Sequence, residues 1–188
     1  MISEVPGLRA DIAFHLDASD FELFDVPARF ALDRAAIDAR WRALMARAHP
    51  DRFAAGSPAE QREAMQWSIR FNKAYERLKM PLARATHLCE LNGQRVDAET
   101  TTAMPPSFLA QMMDWREALD RARSSDEIQA LADGAAACHR GLIEELADLI
   151  DVHHDWAAAA TRVRALMFVV RFEQELDRRA EPLDAVDD

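Results

Sequence analysis

Apolar residues return along this chain in helical steps. After Asp33, the residues Ile37, Trp41, Leu44, Met45 and Ala48 fall at i, i+4, i+7, i+8 and i+11. That spacing makes one amphipathic stripe. After Ser57, the residues Ala64, Trp67, Phe71, Ala74, Tyr75 and Leu78 fall at i, i+3, i+7, i+10, i+11 and i+14, a second stripe of the same kind. Two such stripes joined by a short polar stretch predict an antiparallel helical hairpin. The helix starts are equally legible. Asp33 is placed to cap the first helix, and Ser57-Pro58-Ala59-Glu60 is a capping box with proline at the first helical position. Pro81 breaks the second helix and opens another over 82–91, which Asn92-Gly93 ends.

The remaining pattern is also helical. Phe21, Leu23 and Phe24 form a short apolar cluster before Pro27 and predict a brief first helix or turn. Residues 93–106, with Gly93, a run of threonines and Pro105-Pro106, read as a linker. Ser107 is the expected cap of a helix over 108–122, and Ser124 with Glu127 starts a long one reaching about 150. Asp155 caps the last, over 156–180. Short connections between these three predict a three-helix bundle over 107–180. The expected fold is therefore all-α, with an extension at 1–18, an N-terminal domain over 19–92, the linker, the bundle, and an acidic tail at 181–188.

The joint of the hairpin is Arg47-Ala48-His49-Pro50-Asp51-Arg52-Phe53. Proline cannot continue a helix interior and pushes the preceding residue out of the α region. His49 and Asp51 are thus expected on a stiffened corner, displayed to solvent. Arg40 and Arg47 are seven apart and share a helix face, and Arg52 continues the positive charge past the corner. Charged faces are usually just solvated. In a chain this acidic, a local basic strip beside His49 and Asp51 is nonetheless unexpected.

Composition narrows the classes. Among 188 residues, 49% are hydrophobic and 30% charged, with only 5 glycines, as in a globular helical protein. A formal charge of −10 argues against nucleic acid or an anionic membrane as the main partner. Cys89 and Cys138 form no CxxC and no disulfide framework, which fits a reducing cytoplasm. Residues 1–16 mix acids with short apolar pieces, so no secretion signal is expected, and the apolar run 165–170 is too short to cross a bilayer.

Some apolar residues exceed what a bundle needs. Phe108, Met112, Trp115, Leu119 and Ala122 complete one core stripe, while Leu109 and Met113 lie on another face beside Arg116 and Glu117. In the last helix, Val163, Leu166, Met167 and Val170 make a stripe, leaving Phe168, Val169 and Phe172 as surplus. Surplus apolar side chains either dock on residues 19–91 or bind a partner. No nucleotide loop, nucleophile elbow or zincin motif is present, and adjacent His153-His154 are expected in a turn rather than on a metal. Cys138-His139 reads as a small buried thiol beside a partly buried ring. Neither a cofactor nor a metal site is expected.

These motifs together resemble a known family. A helix with a basic face, then His49-Pro50-Asp51, then Phe71-Asn72-Lys73-Ala74-Tyr75-Glu76-Arg77-Leu78, is similar to a J-domain. Over roughly 19–180 the chain resembles the HscB family of J-domain co-chaperones, which serve bacterial iron–sulfur cluster assembly. Phe21 to Pro27, His49 to Ser57, Pro81-Leu82-Ala83-Arg84-Ala85, and Phe108-Leu109 through Arg116-Glu117-Ala118-Leu119 carry the likeness. It implies a J-domain plus a three-helix bundle, and an activator of a partner ATPase rather than an enzyme. The partner implied is a DnaK-type chaperone, HscA, met by His49, Pro50 and Asp51 with Arg40, Arg42 and Arg47. The implied client is the scaffold protein IscU, met by Leu109, Met113 and Phe168 with Asp114 and Glu117 as polar neighbours. One family contact, usually methionine, is Ala110 here, and the metal-binding cysteine pairs of some eukaryotic relatives are absent. Two other readings stay open: a J-domain adaptor for another client, and a small enzyme using His49 and Asp51 as acid and base.

Overall fold

A computed structural model describes residues 17–96 and 104–184, with only the backbone described over 181–184. The expectations for 1–16, 97–103 and 185–188 lie outside the described residues. The helices are α1 (Asp20–Phe24), α2 (Arg34–Ala48), α3 (Pro58–Lys79), α4 (Pro81–Leu91), α5 (Pro106–Arg121), α6 (Ser125–Asp148) and α7 (Trp156–Asp184). No strand occurs among the described residues. The chain forms two compact units that meet within α4, between Arg84 and Ala85. The sequence had suggested a boundary at 93–106 instead. Ala85, Leu88 and Cys89 are fully buried, which gives the second half of α4 an apolar face, whereas the sequence reading had counted the whole of this helix with the N-terminal domain over 19–92.

The local start signals act as expected. Asp33 accepts from the Ala35 amide at 2.9 Å, Ser57 and Glu60 form the reciprocal capping box, and Ser124 with Glu127 forms another. Asp155 accepts from the Ala158 amide at 3.0 Å. Ser19 and Glu22 add a box at α1. Ser107 is not the cap of α5. That helix begins one residue earlier at Pro106, behind Pro105, with no side-chain cap bond. Proline at the first turn needs no N–H partner, so the pair itself sets the start.

In the first unit α2 and α3 lie antiparallel in one register. Trp41 Nε1 donates to Asn72 Oδ1 at 2.9 Å, the Tyr75 hydroxyl donates to Asp38 at 3.0 Å, and the Ser68 hydroxyl meets the Met45 sulfur at 3.8 Å. Each step forward on α2 is a step back on α3, which extrapolates to Ala64 and Met65 level with the end of α2. Ile37, Leu44 and Ala48 on α2 and Ala64, Trp67, Phe71, Ala74 and Leu78 on α3 are buried on the core side. Trp41, Met45 and Tyr75 are half-buried along the seam, with Trp41 and Tyr75 stacked at 4.8 Å.

α1 is tied to α3 by charge as well as by Phe21, Leu23 and Phe24. Asp20 is fully buried, and its carboxylate lies 2.7 Å from Arg70 Nη1 and 2.7 Å from Arg77 Nε. Arg70 also donates to the Ala18 carbonyl at 2.7 Å. A buried carboxylate survives only with such partners. Asp20→Asn is therefore expected to destabilise the chain by about 2 kcal/mol in chemical denaturation, a value discounted because both arginines are partly solvated. An unchanged denaturation midpoint would show that the two guanidinium groups stabilise nothing that Asn cannot replace.

In the second unit α7 packs against both α5 and α6. Two expectations fail here. Val169 and Phe172 are not surplus; they are 0% and 4% exposed. Phe172 stacks on Trp115 at 5.3 Å and joins Leu119, Ile128, Ala135 and Leu176 in one cluster. A helix with neighbours on two sides needs an apolar arc wider than one stripe, which a single-stripe reading of α7 undercounts. α7 also runs to Asp184, past the expected end at 180 and into the expected acidic tail. A π-helical turn, Leu149–His153, extends α6.

Candidate functional site

The first candidate site is the corner. His49 ends α2 in extended conformation (φ −62°, ψ 128°), and Pro50–Phe53 closes a 3₁₀ turn behind it. The turn buries none of its residues. It is held from within: Arg52 Nη1 donates to the Ala46 carbonyl at 2.5 Å, satisfying one of the orphan acceptors of α2. His49 Nδ1 accepts from the Asp51 amide at 3.3 Å and lies 3.5 Å from the Asp51 carboxylate. The amide bond requires Nδ1 without a proton, so the neutral ring carries its proton on Nε2. The side chains of His49 and Asp51 are 50% and 90% exposed. An acid–base pair working on a small substrate needs enclosure, and these two residues are displayed to solvent.

The three arginines do not share one surface. Arg42 and His49, seven apart, fall on one side of α2; Arg40 and Arg47, also seven apart, fall on the other. Arg42 is exposed, whereas Arg47 is half-buried. Arg40 is half-buried too, with Nε and Nη2 closed off from solvent. Nearby, Arg34 donates to Asp38 at 2.7 Å and to the Tyr75 hydroxyl at 3.2 Å. The Arg34 bond, more than any other contact, holds the Asp38 carboxyl below its ordinary range.

The second candidate site is the outer face of α5. Met113 is 64% exposed. Leu109, one turn before it, is half-buried, and Ala110, Asp114 and Glu117 are exposed beside them. Phe168 is half-buried on α7 and meets Phe108 edge-to-face, with ring centroids 6.4 Å apart. Phe108 thus braces Phe168, a role the sequence reading had given only to the core. The exposed apolar Met113, flanked by the exposed charges of Asp114, Arg116 and Glu117, has the character of a contact surface.

Other chemistry in this unit is weak. Phe108, Gln111, Cys138, Leu142, Glu145 and Arg162 line part of a cleft of about 430 Å³, with Arg162 and Glu145 ion-paired at its edge. Burial, reinforced by Glu145 and Glu173, pushes the Cys138 thiol up. Burial pushes Cys89 up to about 11. Neither thiol is a ready nucleophile near neutral pH. His139 is bound to Glu173 at 3.0 Å, and His153 lies 3.1 Å from Asp148. His154 contacts the Ile150 carbonyl at 2.8 Å. No group of three metal-binding side chains occurs among the described residues, and no helix there is long and apolar enough to cross a membrane.

Comparison with known proteins places these features in a family. The family model for the HSCB C-terminal oligomerisation domain matches residues 104–177. The chain is 50% identical over 157 residues to the co-chaperone protein HscB homolog of Bordetella petrii, covering 83% of this chain and 92% of that protein. It is 46% identical over 172 residues to the homolog of Burkholderia multivorans, covering 90% and 98%. Among solved structures, chaperone HscB from Vibrio cholerae superimposes with a TM-score of 0.79 at 32% identity, covering 88% of this chain and 99% of that one. Human co-chaperone protein HscB gives a TM-score of 0.88 at 24% identity over 95% and 90% of the two chains, a likeness of fold. With a helical hairpin turned at His49-Pro50-Asp51 and this extent of identity, the chain belongs to the HscB family of co-chaperones.

Proposed function

We propose that this protein stimulates ATP hydrolysis by a DnaK-type chaperone, HscA, and delivers to it the scaffold IscU during iron–sulfur cluster assembly in the cytoplasm. The observation that carries this reading is the corner: His49 and Asp51 stand in solvent at the tip of the α2–α3 hairpin, on a turn with no buried residue. Such a corner is built to be touched. The protein then works as an adaptor with no bond-making chemistry of its own. His49, Pro50 and Asp51 meet the ATPase, and Leu109, Met113 and Phe168, with Asp114 and Glu117 at the rim, meet the scaffold. Holding both partners raises the local concentration of client at the chaperone. Stimulation further requires the corner to favour one state of the ATPase over another.

Within the basic set, exposure ranks Arg42 first, because it shares the His49 side of α2 while Arg40 and Arg47 are half-buried on the other. Arg42→Glu is expected to raise the concentration needed for half-maximal stimulation about tenfold, most strongly at low salt. Arg47→Glu should do less. Equal effects of the two changes would mean that the partner does not read the His49 side of α2. The identity of the client is the part most open to Ala110, an exposed position where the family usually carries methionine. An unchanged chaperone response with no scaffold binding would favour an adaptor for another client.

A further inference from the structure

Two large apolar side chains on α3 stand in water: Met65 is 49% exposed and Ile69 is 59% exposed. They are one turn apart and belong to neither the core stripe nor the seam. Their position on the hairpin follows from the register. Ser68 and Asn72 meet α2 at Met45 and Trp41, and Met65 and Ile69 lie just beyond that line, away from the buried Phe71, Ala74 and Leu78. On α2 the corresponding step past Trp41 and Met45 reaches Arg42 and His49. For two antiparallel helices these steps lead to the same side of the pair. The register also sets Met65 level with the end of α2, beside the corner. Arg62, Gln66, Asn72 and Lys73 on α3 are exposed around the pair.

We infer that Met65 and Ile69 form an apolar second contact for the same ATPase that meets His49, Asp51 and Arg42. The inference rests on the proposed function and deepens it, by extending the docking surface from the corner and α2 onto α3. The expected partner surface is acidic with a shallow apolar patch, since Arg42, Arg62 and Lys73 surround the two side chains. Apolar anchors within a charged rim hold a complex together, while the rim charges speed and orient encounter. The corner and the apolar pair therefore divide the work: the first triggers hydrolysis, and the second sets residence.

The test is a titration of ATP hydrolysis by HscA with the full chain, comparing wild type, Met65→Ser/Ile69→Ser and His49→Gln. The expected result for the double change is an unaltered plateau reached at about tenfold higher concentration. His49→Gln should lose the plateau itself. Met65→Leu/Ile69→Leu, which keeps apolar bulk, should restore the wild-type curve. Helicity and thermal midpoint serve as folding controls, and exposed positions should leave both unchanged. A Met65→Ser/Ile69→Ser curve that coincides with wild type overturns the apolar contact and leaves the function of the corner standing. A double change that alters self-association by light scattering without moving the curve overturns it in favour of a second copy. Absence of stimulation by the wild type removes the proposed function, and this contact with it.

Discussion

Replacing His49 by Gln is expected to reduce stimulation of the partner ATPase to the basal rate while leaving the fold intact. The structure gives both halves of this expectation a cause. The 3₁₀ turn buries no side chain, and the His49 side chain is half exposed, so no core contact is lost. The backbone corner is set by Pro50 and by the Arg52 bond to Ala46, neither of which the substitution touches. Glutamine can still accept from the Asp51 amide, but it lacks a flat ring held over the turn. Because the corner is what favours the hydrolysing state of the ATPase, its loss lowers the plateau itself rather than only raising the concentration needed to reach it. The checks are steady-state hydrolysis and a thermal melt of the same preparation. An unfolded variant would attribute the loss to stability, and a variant that stimulates normally would show that the ring is not read.

Leu109→Ser/Met113→Ser is expected to weaken scaffold binding about a hundredfold, measured by titration calorimetry, with stimulation in the absence of scaffold unchanged. Met113 is 64% exposed, so its removal costs the fold little. Leu109 is half-buried, and Met113→Ser alone provides the cleaner control. Each truncation removes roughly 1–2 kcal/mol of apolar contact when the side chain is buried by a partner. Phe168 is held by its edge contact with Phe108 and remains in place in both variants. Unchanged affinity would move the client contact off this face of α5.

The features legible in the sequence are those decided within a few residues. Capping boxes at Ser57 and Ser124, the cap at Asp155 and the proline-stiffened corner depend on neighbours three or four positions away, and each forms as read. The outward turn of Met113 was legible as well, because a core stripe leaves the residue beside it without a place. The same count on α3 would have found Met65 and Ile69. What was not legible depends on distant partners. Asp20 looks like a surface acid and is buried only because Arg70 and Arg77 arrive some fifty residues later. Val169 and Phe172 look surplus until α7 is found packed against both α5 and α6. Arg40, Arg42 and Arg47 read as one basic set, and only the packing of α2 separates the exposed member from the two half-buried ones.

The most direct test of the adaptor is steady-state ATP hydrolysis by HscA with this protein and IscU added singly and together. The account expects stimulation by the protein alone and a further rise, beyond the sum of separate effects, when the scaffold is present. It also expects His49→Gln to remove both, and Leu109→Ser/Met113→Ser to remove only the synergy. Wild-type protein that leaves the hydrolysis rate at its basal value, with or without scaffold, would contradict it.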